Sequence, residues 1–281
     1  MKHSFNFKIF SGFVLKILGL IFMTLDHVGV FLCTRENTKL LGTIFRYFGR
    51  LALPIFIFLL VEGIKYTKNE IKYLARISIL VLVFFFGQLF LYLKYNETNF
   101  PSPIIDLFVV AITLLLLKRK DKYSLFSIIP IAFTIISFIL INLEKSTENP
   151  HNFLPFYLRL AYPLFSLLLG LIFFYSDSIS KIVLRMNDAT ESLTETSYVD
   201  LTSKLISSFG IIFLSILFYV TFTLFNVSYC DIPYQTYALF SFIPILFYSG
   251  KRGYNKKWFQ YGCYIYAPLH IVIIFTIFAL L

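Results

Sequence analysis

The 281-residue chain is 58% hydrophobic and carries a formal net charge of +10, with 35 Phe and 19 Tyr against one Trp. One soluble core of this length cannot bury so much apolar surface, which excludes a soluble globular protein and predicts membrane embedding. The basic residues stand in short loops between apolar runs, a pattern typical of polytopic membrane proteins that argues against nucleic-acid binding.

Nine apolar runs approach the length of about 20 residues that a transmembrane helix needs. We therefore predict an all-α, polytopic transmembrane helical bundle of about nine spans, within a range of eight to ten. The predicted spans are 9–33, 41–64, 73–94, 104–117, 124–143, 154–175, 205–228, 235–249 and 258–281, and the fourth and eighth are short. The first run is too long for a signal peptide and lacks a small-residue cleavage site, so it is expected to remain as a span.

The loops after the second, fourth, sixth and eighth spans are strongly basic, whereas the intervening loops hold few cations. Because cytoplasmic loops carry the excess of Lys and Arg, this alternation places the N-terminus in the cytoplasm. The polar segment 176–204 is expected to form a flexible or partly helical cytoplasmic loop within a single domain that covers 1–281. The Lys-, Asn- and Phe-rich composition points to a bacterial low-GC genome, and the expected location is the bacterial cytoplasmic membrane.

The three cysteines, Cys33, Cys230 and Cys263, lack the spacing of a metal site, and no metal is expected. Cys33 and Cys230 both fall at the predicted outer ends of spans. A disulfide between them is therefore one alternative, and free thiols are the favoured one.

Ionisable side chains inside the predicted spans are the main functional signal, because each costs several kcal/mol in hydrocarbon. Counting helix rise from the span ends places most of them in the outer half of the membrane. These are Asp26, His27, Arg46, Arg50, Asp106, Arg159 and His270. Lys16 and Glu62 lie nearer the inner end, where snorkelling explains each alone and lining of an inner vestibule is the alternative. Charges that converge from five spans are hard to justify by structure alone, so they predict a polar site.

Helix geometry assigns faces to these residues. Arg46 and Arg50 are four residues apart and project from the same side of their helix. Asp26 is turned by about 100° from His27, so its better partner is an arginine of the second span, and His27 must find a partner on another helix. The alternatives to a catalytic role are that the Asp–Arg ion pair is purely structural and that His27 is a structural, hydrogen-bonding histidine.

Several segments resemble the TraX family of membrane proteins. They are KILGLIFMTLDHVG from Lys16 to Gly29, RYFGRLALPIFIFLLVEGIKYTKN from Arg46 to Asn69, Tyr73 to Arg76, PILFYSGKRG from Pro244 to Gly253, and YIYAPLH from Tyr264 to His270. Asp26, His27, Arg46, Arg50, Glu62 and His270 match motif positions. The chain departs from the family in having Ala267 where family members commonly have Tyr before the Pro. The middle of the chain, roughly 95–235, matches only as hydrophobic spans.

The resemblance implies acyl transfer, since TraX is associated with acetylation of a pilin subunit and is similar to integral-membrane acyltransferases. The expected donor is acyl-CoA, most simply acetyl-CoA, and the expected acceptor is an envelope glycan or a pilin-like peptide. Acyl transfer needs a base and a group that stabilises the oxyanion. His27 is the expected base, with His270 as second candidate or substrate positioner. Arg46 and Arg50 would hold phosphate or the oxyanion, with Asp26 orienting them.

Four further residues are expected to bind substrate: Arg46, Arg159, Glu62 and Lys16. Lys251 and Arg252 offer positive charges that could bind CoA, although the general excess of Lys and Arg in cytoplasmic loops explains their presence equally well. No nucleophile stands at a fixed spacing from a base, so direct transfer is favoured over a covalent intermediate. One alternative is a transporter or flippase for an anionic solute or lipid-linked glycan, although paired repeats with interrupted helices at matching positions are not found. The other is a non-catalytic assembly or immunity partner. The oligomeric state is not indicated.

Overall fold

The computed structural model describes residues 9–95, 102–119, 121–146, 155, 158–186, 196–225 and 232–280, and most of these residues are helical. The helices are α1 Gly12–Leu32, α2 Lys39–Gly49, α3 Ala52–Tyr66, α4 Glu70–Tyr95, α5 Pro103–Lys118, α6 Ile128–Ser146, α7 Pro163–Met186, α8 Thr196–Phe225, α9 Ile232–Gln235, α10 Phe242–Leu246 and α11 Lys257–Leu280. Short 3-10 segments occupy Glu36–Thr38, Lys122–Ser127 and Thr236–Ser241.

Seven helical segments in the described part of the chain are long and apolar enough to cross a membrane. They are Gly12–Leu32, Glu36–Tyr66, Glu70–Lys94, Lys122–Glu144, Pro163–Met186, Tyr198–Leu224 and Lys257–Phe278. The two short predicted spans correspond to the 16-residue α5 and to Thr236–Leu246. The chain is thus an all-α, multi-pass membrane protein, as predicted, and the span count agrees roughly with the predicted nine.

The second apolar segment is interrupted in its middle. Helix α2 ends at Gly49, α3 begins at Ala52, and Arg50 and Leu51 form a turn between them. Pro54 accounts for the break, because it has no N–H to donate to the Arg50 carbonyl and its ring would clash with that carbonyl. The run 41–64 was predicted as a single span, and the structure adds this break within it.

The chain folds into two compact units. Unit 1 comprises Met1–Leu59, Tyr175–Ser215 and Tyr234–Leu281, and unit 2 comprises Leu60–Phe174 and Ile216–Pro233. Because the chain enters unit 1 three times, helices from both ends of the sequence, α1, α2 and α11, belong to the same unit.

In unit 1, glycines allow α1 and α2 to pack with their backbones in contact. A Cβ added at Gly49 would lie 2.3 Å from the Cβ of Asp26, and one at Gly42 would lie 2.7 Å from the Cys33 nitrogen. A Cβ at Gly29 would lie 2.8 Å from the Gly42 carbonyl oxygen. Small residues are the usual means of close helix approach in membranes, where burial of apolar surface gives no driving force between helices.

The start of α1 is fixed to the turn that carries Lys251 and Arg252. The Gly12 N–H donates to the Lys251 carbonyl at 2.8 Å, and the Phe13 N–H donates to the Arg252 carbonyl at 2.9 Å. These bonds satisfy two of the N–H groups that a helix start leaves without an intrahelical partner. The Lys251 and Arg252 backbone therefore has a structural role, while both side chains are exposed.

Serine hydroxyls join α7 and α8 within unit 1. Ser203 Oγ donates toward Asp177 Oδ1 at 2.5 Å and lies 2.9 Å from Ser176 Oγ. Lys204, which is only 7% exposed, pairs with Asp200 at 2.7 Å. The two helices thus continue into the predicted cytoplasmic loop 176–204 from both sides, and its residues 187–195 lie outside the described ones.

In unit 2, charged side chains bind helix ends. The buried carboxylate of Asp106 accepts the N–H groups of Ala161 and Tyr162, both at 2.8 Å, just before α7 begins. Lys118 Nζ donates to the Ile64 carbonyl near the end of α3 at 2.9 Å and pairs with Glu70 at 3.5 Å. Each charge therefore satisfies backbone groups or charges that would otherwise be costly in an apolar surrounding.

Candidate functional site

Asp26 of α1 forms an ion pair with Arg50 at the break between α2 and α3. Arg50 Nη2 lies 3.0 Å from Asp26 Oδ1, and the Arg50 side chain is 4% exposed against 23% for Asp26. A desolvated pair of this kind is costly to break, because one charge would remain buried alone. The expectation that Asp26 pairs with an arginine of the second span is confirmed.

The two histidines expected at the site, His27 of α1 and His270 of α11, are in direct contact. His270 Nε2 lies 3.4 Å from His27 Nδ1, and the rings meet edge to face with centroids 4.9 Å apart. His270 is only 2% exposed, whereas His27 is partly exposed. His27 therefore presents the more accessible imidazole of the pair.

Backbone carbonyls define which ring nitrogen of each histidine carries the proton. His27 Nδ1 lies 2.8 Å from the Met23 carbonyl oxygen, and His270 Nδ1 lies 3.0 Å from the Tyr266 carbonyl oxygen. Since a carbonyl only accepts, both Nδ1 atoms must be donors. In the neutral rings Nε2 is then the unprotonated nitrogen, and His270 Nε2 points its lone pair at His27. The Nε2 of His27 remains as the basic nitrogen for a substrate.

Tyr266 and Thr24 connect α11 to α1 beside the histidine pair. Their hydroxyl oxygens are 2.7 Å apart, and Thr24 donates its own proton to the Leu20 carbonyl at 2.8 Å. Tyr266 must therefore be the donor between the two hydroxyls. The Tyr266 ring also stacks on the His270 imidazole, with centroids 5.3 Å apart and an interplanar angle of 13°.

Arg46, one turn before Arg50, lies against aromatic rings. Its guanidinium carbon is 4.1 Å from the centroid of Tyr234, a cation–π geometry that favours the charge without neutralising it. Next to it, Tyr47 stacks on Tyr237 with centroids 3.9 Å apart. Arg46 therefore contacts an aromatic ring, and Arg50 contacts a carboxylate.

Lys16 lies nearer the start of α1, 11 residues before His27, which is about 16 Å of helix rise. It is partly buried and interacts electrostatically with Cys263 and Arg252. Two positive groups, Lys16 and Arg252, thus approach each other at one end of α1. Two positive charges at the same end of a helix attract an anionic ligand.

The remaining predicted substrate-binding residues lie in unit 2. Arg159 forms an ion pair with Glu144, whose side chain is 6% exposed, and Glu62 lies 3.8 Å from Lys65 on the next turn of α3. The structure therefore brings His27 to His270 and Asp26 to Arg50 in unit 1. Arg46 and Lys16 belong to the same unit, with Lys16 nearer the start of α1, and Arg159 has a partner of its own in unit 2.

Sequence reasoning missed the polar side chains that support the histidines. Thr24 lies three residues before His27, and Tyr266 lies four residues before His270, so each shares a helix face with its histidine. That spacing was a usable signal, but the partner across the helix interface could not be read from it. Cys33 is a free thiol, and because Cys230 lies outside the described residues, the expected disulfide alternative does too.

The comparisons with known proteins agree with the resemblance. A family model described as TraX protein matches residues 11–148. A segment of 68 residues is 38% identical to "Probable fimbrial assembly protein FimC, serogroup H1" of Dichelobacter nodosus, covering 24% of this chain and 27% of that relative. The chain thus aligns with about a quarter of the relative's length. No solved structure matches the chain.

Proposed function

Residues 11–148 of this multi-pass membrane protein belong to the TraX family, and on that premise we propose that the chain is an integral-membrane acyltransferase of the bacterial cytoplasmic membrane. The proposed reaction moves an acyl group, most simply acetyl, from acyl-CoA to an amine or hydroxyl of an envelope acceptor. The observation that carries the proposal is the contact between His27 and His270 beside the Asp26–Arg50 pair, all at one level of α1.

His27 suits the role of general base. Its Nδ1–H is held by the Met23 carbonyl, so Nε2 takes the proton as the acceptor nitrogen or oxygen attacks the thioester carbonyl. The carbon–sulfur bond then breaks, and the imidazolium returns the proton to the leaving CoA thiolate. No covalent enzyme intermediate is needed for this sequence of steps.

The arginines suit the negative charge that develops during the reaction. Asp26 holds the Arg50 guanidinium in one orientation, and Arg46 lies on an uncharged ring. A guanidinium can stabilise an oxyanion or clamp a phosphate. We assign Arg46 and Arg50 to the carbonyl oxygen of the thioester or to a phosphate of the donor.

The donor is proposed to enter from the end of α1 where Lys16 and the turn with Lys251 and Arg252 lie. Backbone hydrogen bonds to α1 fix this turn, and both of its basic side chains are exposed. The nucleotide end of CoA carries several phosphate charges, which such a cluster would attract. Because cytoplasmic loops carry the excess of Lys and Arg, we expect this end of α1 to face the cytoplasm, where acyl-CoA is found.

A pilin-like peptide amine is the acceptor that the relative's name favours, since that protein is named as a probable fimbrial assembly protein. A hydroxyl of an envelope glycan is the other acceptor of this chemistry. Mass spectrometry of surface peptides and envelope glycans, in cells with and without the protein, distinguishes the two by which of them loses an acetyl group.

The proposal is tested with purified protein in liposomes, labelled acetyl-CoA and an extract of acceptors. His27→Gln and Arg50→Lys are each expected to lower the transfer rate by at least about 100-fold, the usual effect of losing a base or an oxyanion donor. Arg35→Ala is the matched control, because Arg35 is exposed beyond the end of α1. Full transfer by both site variants would refute the assignment.

The break at Arg50 favours a second candidate, a transporter or flippase for an anionic solute or lipid-linked glycan. Interrupted helices that carry charged groups at mid-membrane are common in transporters. The same liposomes distinguish the two functions, because movement of an anionic glycan lipid across the bilayer without consumption of acetyl-CoA would support transport.

A further inference from the structure

We infer that Tyr266 and Thr24 are positioning residues that hold the two histidines of the site in register, an inference that rests on the proposed acyl transfer. Neither residue contacts the reacting atoms in that mechanism. Thr24 lies one turn before His27 on α1, and Tyr266 lies one turn before His270 on α11. The hydroxyl–hydroxyl bond and the histidine–histidine contact are therefore neighbours along the same α1–α11 interface.

Tyr266 constrains His270 in three ways. Its carbonyl accepts the Nδ1–H of His270 at 3.0 Å, its ring stacks on the imidazole, and its hydroxyl bonds Thr24 at 2.7 Å. The torsion that turns an imidazole ring is broad and sets no single plane by itself. The stack selects the plane, the carbonyl selects the tautomer, and the bond to Thr24 stops the phenol ring from sliding off the stack.

Thr24 is itself held in one rotamer. Its hydroxyl proton is donated to the Leu20 carbonyl at 2.8 Å, which turns an oxygen lone pair toward the Tyr266 hydroxyl. Rotation of the Thr24 side chain would lose both bonds together. The link between the helices is thus directional: α11 donates, α1 accepts, and His270 Nε2 is kept 3.4 Å from His27 Nδ1.

The expected effect of this link is on geometry more than on stability. Hydrogen bonds between membrane helices contribute on average only about threefold to a folding equilibrium. A displacement of about 1 Å in a catalytic group, by contrast, can cost about 100-fold in rate. Loss of the hydroxyl bond should therefore lower kcat by an intermediate factor of about tenfold, without a matching loss of folded protein.

The test uses the full-length protein in liposomes with Tyr266→Phe, Thr24→Val and the double variant. Each single variant is expected to lower kcat by about tenfold, with KM for acetyl-CoA unchanged and the double variant no worse than either, because both remove the same bond. Thr24→Ser, which keeps the hydroxyl, should restore the rate. Tyr261→Phe and Thr276→Val are the controls, since both residues are exposed on α11 and the Thr276 hydroxyl donates to the Val272 carbonyl of the same helix.

A second measurement does not depend on acyl transfer. The chain has four histidines, so nitrogen NMR of histidine-labelled protein in bilayers can resolve the ring signals, with His27→Gln and His270→Gln for assignment. Wild-type His270 should show one Nδ1-protonated tautomer with a hydrogen-bonded Nδ1 signal. Tyr266→Phe or Thr24→Val should shift and broaden that signal, because an imidazole plane that is no longer fixed weakens the bond to the Tyr266 carbonyl. This result would support the inference even if the protein transfers no acyl group.

Two outcomes would overturn the inference. One is a His270 Nδ1 signal that is unchanged in position and width in both Tyr266→Phe and Thr24→Val. The other is a double variant whose loss of rate is the product of the two single losses, because independent effects would show that the hydroxyl bond is not their shared cause. A Tyr266→Phe protein that fails to fold would leave the decision to Thr24→Val and its serine rescue, which keep the aromatic stack.

Discussion

Replacement of Gly49 by Ala perturbs the site through backbone contact alone. A Cβ at this position would lie 2.3 Å from the Asp26 Cβ and 2.6 Å from the Asp26 Cα. Two carbon atoms in contact prefer a separation of about 3.5–4.0 Å, so α2 must move away from α1 by about 1.5 Å. No flexible side-chain end absorbs this shift, because the clashing atoms belong to or adjoin the α1 backbone.

The magnitude follows from what the displacement does to the ion pair. The Asp26–Arg50 distance of 3.0 Å would grow to about 4.5 Å if α2 moved by the whole shift, beyond the range of a direct ion pair. Overpacking of this kind costs about 1–3 kcal/mol, partly offset by the gain of up to about 1 kcal/mol from replacing Gly by Ala in a helix. We expect a net destabilisation of about 1–2 kcal/mol and a loss of acyl-transfer rate of about 100-fold.

Thermal unfolding in detergent and acyl transfer in liposomes measure the two effects on the same preparations. Gly262→Ala is the matched control, because a Cβ at Gly262 of α11 meets nothing within 4 Å, and its stability should be unchanged or slightly raised. The reasoning would be refuted by a Gly49→Ala protein with the stability and the transfer rate of the wild type.

Three further substitutions test structural contacts by thermal unfolding. Asp106→Ala should cost about 2–3 kcal/mol, because it leaves two N–H groups beside α7 without an acceptor, whereas the exposed cap Asp121→Ala should cost about 1 kcal/mol or less. Lys118→Met should cost about 1–2 kcal/mol by removing the bond to the end of α3. Gly253→Ala should cost more than Gly250→Ala: both have positive φ, but an added Cβ would lie 2.6 Å from Ser11 Oγ at Gly253 and would meet nothing within 4 Å at Gly250. Equal costs would contradict this.

The helices could be predicted from the sequence because hydrophobic length is a strong signal in membrane proteins. The two predicted spans that were short in the sequence, 104–117 and 235–249, correspond to the two short apolar stretches of the structure. The break at Arg50 was missed, although Pro54 marks it, because the apolar run continues through the turn. A hydropathy profile measures the apolar length of a run, so it does not detect a helix that ends and restarts within that run.

The site was predictable where the chain's own geometry limits the choices. Helix periodicity turned Asp26 away from His27 and toward the second span, and the structure confirms that pairing. It gave no means to choose between Arg46 and Arg50, or to bring His270 to His27 from a helix more than 240 residues later. Such contacts depend on how helices pack, which local spacing does not encode.

The paths of Arg46 and Arg50 across the α1–α2 interface have a physical explanation in two glycines of that interface. Each of these two glycines faces a charged residue across the gap: Gly49 faces Asp26, and Gly29 faces Arg46, whose Cγ would lie 2.8 Å from an added Cβ. Arg46 therefore passes over Gly29 toward Tyr234, while Arg50 follows Gly49 and emerges where α2 ends, beside the Asp26 carboxylate. The glycines set the paths of both arginines, so substitutions along this interface perturb the polar site directly. We therefore expect such substitutions to lower the acyl-transfer rate more strongly than they lower the stability of the fold.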